Sequence, residues 1–180
     1  MISAVKVSSL PVAVRIYPQP QGIEREAWSR RPWRLPEAMF IFDTETRTDE
    51  TQRLTFGSYR FVVAGQCLEE GLFYADELPA PERRILEDYV EKHSPETVAS
   101  GYQKLRLLPR KEFVQRFYRA AFKARCLVVA FNFPFDASRI ACDFSEARER
   151  FSGGFSLALF SYVDEAGCER PNPHRPRIAI

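Results

Sequence analysis

Residues 39–46 read MFIFDTET. Four apolar residues run straight into Asp43, and Glu45 follows two positions later. A short apolar run bounded by polar residues is the signature of a strand buried on both faces. A chain built around such a strand must cover both sides of its sheet, which points to an α/β architecture with helices on the faces.

The rest of the chain fits around that strand. Residues 54–63 (LTFGSYRFVV) and 67–74 (CLEEGLFY) read as two more strands. Ala64-Gly65 lies between them as a turn, so the pair predicts a hairpin. Residues 81–92 (PERRILEDYVEK) predict a helix, with Pro81 at its start and Ile85, Leu86, Tyr89 and Val90 in helical register. Residues 111–125 predict a second helix, whose stripe of Phe113, Val114, Phe117, Tyr118, Ala121 and Phe122 reads as core packing. Residues 127–131 (LVVAF) predict another buried strand, 134–150 a helix and 155–163 a later strand. Residues 164–176 read as a Gly/Pro-rich loop, and 177–180 open an apolar segment. The expected fold is thus α/β: a mixed sheet, with an antiparallel hairpin plus parallel strands, flanked by helices. Residues 1–38 form a separate arm or connector. Within it residues 5–17 suit an edge strand or extended arm, and 18–36 hold prolines, arginines and both tryptophans, Trp28 and Trp33.

Side chains at i and i+2 of an extended strand share a face, so Asp43 and Glu45 converge at the mouth of the sheet. Two anions at the end of an apolar strand repel, and desolvation adds to the cost. A divalent cation is the simplest compensation, and hard oxygen ligands suit Mg²⁺ or Mn²⁺. A plainer reading has Asp43 capping the next turn and Glu45 in solvent.

A second stretch has the same construction. CLVVAFNFPFDASRI, residues 126–140, is a buried strand, a polar turn and an acid. Pro134 favours a helix start, which places Asn132 at the strand end and Asp136 in the first helical turn. If the two strands are neighbours, Asp136 faces Asp43 and Glu45 across the end of the sheet. The plainer reading of Asp136 is a first-turn acid favoured by the helix macrodipole.

FDTET and NFPFD together resemble the first two motifs of the DEDD (DnaQ-like) 3′–5′ exonuclease superfamily, in the form found in polymerase proofreading domains. The resemblance spans roughly Met39 to Phe144. It implies an RNase H-like fold and hydrolysis of phosphodiester bonds at DNA or RNA 3′ ends. It implies two Mg²⁺ or Mn²⁺ ions, with Asp43 and Glu45 on the first, Asp43 bridging, and Asp136 on the second. Two ions about 3.5–4 Å apart clamp the attacking and leaving oxygens of such a displacement. Thr44, contributing mainly backbone, Asn132 and Phe133 would lie beside the substrate, although core packing is the plainer role of Phe133.

The family's third motif, a His five residues or a Tyr four residues before an Asp, does not occur. His93 is followed at that spacing by Val98, His174 by Ala179, Tyr162 by Ala166 and Tyr118 by Phe122. The expectation is a C-terminally incomplete domain, the front of a longer chain that carries the third motif and a polymerase or other domain. By itself it would be inactive or weakly active. The alternatives are an RNase H-like module that binds nucleic acid or a protein partner without catalysis, and a subunit completed by another chain.

Bulk properties narrow this only a little. A formal charge of +2 excludes a strongly basic nucleic-acid clamp. The basic clusters at Arg30, Arg31 and Arg34 and across residues 104–125 read as solvated surface. Cys67, Cys126, Cys142 and Cys168 show no close pairing of a zinc or redox site, so the expectation is a cytoplasmic protein with free thiols. No apolar stretch is long enough to span a membrane.

Overall fold

A computed structural model describes residues 36–99 and 104–180, all within one compact unit, Leu35–Ile180. The expectations for residues 5–17, for Trp28 and Trp33 and for the cluster at Arg30, Arg31 and Arg34 lie outside the described residues.

The structure is mixed α/β, with a five-stranded sheet of order β4-β3-β2-β1-β5. The first strand, β1, spans Ala38–Thr46, three residues beyond the expected end at Asp43. It pairs antiparallel with β2 (Leu54–Val63) on one side and parallel with β5 (Leu127–Val129) on the other. β2 turns into β3 (Gln66–Tyr74) through Ala64 and Gly65, with φ of 49° and 79°. Positive φ at both central residues is what a two-residue hairpin turn of matching twist demands. The helix α1 (Ala80–Ala99) runs past the expected end at residue 92 and through Pro95. It leads to β4 (Arg106–Pro109), parallel to β3, in a stretch where no strand was expected. Four residues ending in Pro109 offer too little periodicity to announce a strand.

The helix expected over 111–125 is α2 (Arg110–Tyr118) followed by one π-helical turn, Arg119–Lys123. Its stripe packs on one face of the sheet, where Phe40, Phe42, Tyr59, Phe73, Phe113 and Phe117 form the core. Phe73 and Phe113 stack at 3.7 Å, whereas Phe122 at the end of the stripe is exposed. Gly57 sits opposite Thr44 in the ladder, and a Cβ there would overlap the Phe73 ring and the Asp43 carbonyl. Aromatic bulk from β3 thus fills the space that a side chain on β2 would take.

The last third departs most from expectation. The helix α3 spans Phe133–Ile140 and does not continue to residue 150. Ala141 turns extended, Cys142 donates its amide to the Ala158 carbonyl (2.8 Å), and β6 (Asp143–Glu146) pairs with β7 (Phe155–Ala158). Pairing with the next strand along the chain overrides local helix preference there. The strand expected over 155–163 is broken after Ala158, where Leu159 and Phe160 turn into the core. Its remainder, β8 (Ser161–Val163), forms a hairpin with β9 (Glu169–Pro171) inside the expected loop. The apolar segment at the end supplies β10 (Arg177–Ala179), which pairs with β7 to complete a small sheet, β10-β7-β6.

Candidate functional site

β1 alternates strictly along its C-terminal half. Phe40, Phe42 and Thr44 are buried on the α2 side, while Asp43 and Glu45 are exposed on the other. The two carboxylates therefore share a face, as their spacing predicts. The ladder becomes irregular just past them, with a register shift between Glu45 and Thr46. Irregular pairing of this kind re-aims side chains at a strand end. The segment is braced by the Thr55 hydroxyl, which donates to the Glu45 carbonyl at 2.8 Å, and by the Arg47 amide, which donates to the Arg53 carbonyl.

Asp136 reaches the same strand end from α3, but from the buried side. Its Oδ1 accepts from the Thr44 hydroxyl at 2.6 Å and from the Thr44 amide at 3.2 Å. Its Oδ2 accepts from the Asn132 amide at 3.2 Å. The side chain is 2% exposed. The expectation that Asp136 faces Asp43 and Glu45 is corrected here: it faces Thr44, the residue between them. The reason is the two-residue period of the strand, which turns Thr44 inward and its neighbours outward. Thr44, expected to offer mainly backbone, contributes both its amide and its hydroxyl.

Asn132 is the cap residue of α3, and its exposed side chain makes no capping bond. Its backbone is fully used: the carbonyl accepts from the Asp136 amide at 2.9 Å, and the amide bonds the Asp136 carboxylate. Phe133 packs edge-on against Phe42, with centroids 6.3 Å apart, on the rim of the core. The plainer role holds for it. Phe135 stacks beneath the Arg139 guanidinium at 4.9 Å.

On the open face, Asp43 lines a groove of about 830 Å³ with Ile41, Ser58, Tyr89, His93 and Phe131. Tyr89 and His93 lie one helical turn apart on α1 and stack at 4.1 Å. Sequence reasoning placed Tyr89 in the apolar stripe and gave His93 no role. The only sequence sign of the groove is the i, i+4 spacing of two rings on a helix that also bears apolar residues. Phe131 is fully exposed beside them.

The donor chemistry can be tested against a divalent cation. Asp43 and Glu45, exposed and on one face, offer hard oxygens suited to one such ion. In this arrangement the Asp136 carboxylate is bonded to Thr44 and Asn132, and Thr44 points to the opposite face of β1 from Asp43 and Glu45. Among the described residues there is no group of three or more His, Cys, Asp or Glu side chains that could hold a metal ion. The four cysteines are unpaired, and burial pushes the Cys67, Cys126 and Cys142 thiols above their ordinary value. No helix among the described residues is long and apolar enough to cross a membrane. Comparison with family models, with curated proteins and with solved structures finds no match to this chain.

Proposed function

We propose that the chain is a metal-dependent 3′–5′ exonuclease module of RNase H-like architecture, hydrolysing phosphodiester bonds at nucleic-acid ends. The observation that carries the reading is the end of β1. Asp43 and Glu45 stand there on one face beside an open groove, with the acid of the second motif at the same strand end. The sheet supports it too, since β1 lies between an antiparallel hairpin and a parallel strand that leads into the second motif. A divalent cation held by Asp43 and Glu45 would supply Lewis-acid charge at the scissile phosphate. The residues of the chain do the rest. The two carboxylates bind and orient, and the groove next to Asp43 receives the end of the strand. No step is assigned to a second ion, because the contacts of Asp136 are with Thr44 and Asn132 and not with the other two acids.

The test is Mn²⁺-dependent shortening of end-labelled single-stranded DNA and RNA by the full-length protein. Asp43→Ala is expected to abolish it, and undiminished activity in that variant would sink the site assignment. A second reading, a module that binds nucleic acid or a protein without cutting, is favoured by the engagement of Asp136. Wild-type protein that retards the labelled strand in a gel but never shortens it selects that reading.

A further inference from the structure

The acid that a metal site would recruit from α3 is spent elsewhere. Asp136 is almost sealed from solvent, and its partners among the described residues are neutral donors: the Thr44 amide, the Thr44 hydroxyl and the Asn132 amide. A buried carboxylate is tolerated when such donors saturate it, and removing one leaves a costly unmet group. The bonds also join distant parts of the chain, because Thr44 and Asp136 are 92 residues apart in sequence.

Thr44 stands between the two exposed acids. The β1–β2 ladder keeps its register through Asp43, Thr44 and Glu45, but on the other edge β5 pairs with β1 only from Met39 to Ile41, so strand pairing holds this end from one side alone. The Asp136 carboxylate supplies what the other edge lacks: two bonds onto the one residue whose backbone carries both Asp43 and Glu45. We propose that Asp136 is a positioning residue. It clamps Thr44 to the start of α3, thereby aims Asp43 and Glu45 at a shared divalent cation, and is not itself a ligand of that cation. The inference rests on the metal site proposed at Asp43 and Glu45.

The experiment titrates Mn²⁺ alone into the full-length protein by calorimetry, with the electron paramagnetic resonance spectrum of bound Mn²⁺ as a second readout. Each variant is used at a temperature where circular dichroism shows it folded. Thr44→Val and Asp136→Asn are each expected to weaken Mn²⁺ binding about 10- to 100-fold, the usual effect of losing a residue that orients a ligand. The number of ions bound should not change. The double variant should be no worse than the weaker single one, since both act on one contact. Thr44→Ser keeps both donors and should bind as the wild type does. The proposal is overturned if Asp136→Asn reduces the number of ions bound while Thr44→Val leaves affinity intact, for then Asp136 is a ligand. It is also overturned if the variants melt earlier but bind Mn²⁺ with unchanged affinity and spectrum, for then the clamp is only a brace. Wild-type protein whose Mn²⁺ binding is absent, or survives Asp43→Asn, overturns the metal site itself and this proposal with it.

Discussion

Two aspartates in this molecule each grip three donors, and they do opposite work. Asp164 accepts from the amides of Ala166 (3.1 Å) and Cys168 (2.8 Å) and from the Arg170 guanidinium (3.0 Å). All its partners lie within six residues and are exposed, and Asp164 itself is only half-buried. Asp136 accepts from Thr44 twice and from Asn132 once, across 92 residues and under a buried face. The first carboxylate shapes one turn, between β8 and β9. The second ties the central strand to a helix. Number of bonds is the same; burial and sequence separation set what each is worth.

The largest effect should come from breaking the buried set. Asp136→Ala leaves the Thr44 amide and hydroxyl and the Asn132 amide without their acceptor. A loss of about 3 kcal/mol is expected from unmet buried donors, measured by urea unfolding. A loss under about 0.5 kcal/mol, the range of ordinary surface changes, would erase the contrast with Asp164.

The next effect is small and is read on the other face of the same strand. Asp43 and Glu45 are exposed, so Asp43→Asn with Glu45→Gln should shift stability by at most about 0.5 kcal/mol. Mn²⁺ binding should disappear in the same variant. Unfolding curves beside a metal titration check both, and a large stability loss would mean that the open face is structural after all.

The smallest effect belongs to Asp164. Its carboxyl is held below the ordinary value of 3.8, first by the Arg170 guanidinium and then by the Cys168 amide, against a smaller push from desolvation. A depressed acid contributes stability that is present above its unfolded pKa and is lost as pH falls through the folded one. The β8–β9 turn should therefore be intact at neutral pH and loosen only below pH 3.8. An NMR titration of the Ala166 and Cys168 amides should show that step, and Asp164→Asn should remove it without altering global unfolding.

Much of the sheet was legible beforehand. β2 begins and ends where its β-forming run does, and the Ala64-Gly65 turn fixes its partner. Asp43 and Glu45 share a face because the strand period leaves no choice. The small sheet was not legible. Residues 141–146 carry no strong strand pattern, and they become β6 only because Asp143 to Glu146 find Phe155 to Ala158 to pair with. β4 was hidden by its shortness, and the break after Ala158 by the apolar character of Leu159 and Phe160, which continues the pattern while the backbone turns inward.

The sequence by itself determined which residues are apolar strand and which are acid, and so where two carboxylates must emerge together. Period and polarity are local properties, readable over a few residues. It could not determine which side of β1 the third acid approaches. That depends on how α3 packs after β5 has joined the sheet, a long-range outcome set by burying Ala137 and Ile140 beneath the strand layer. The helix then arrives on the face of Phe42 and Thr44, and Asp136, one residue before Ala137, is carried with it to Thr44.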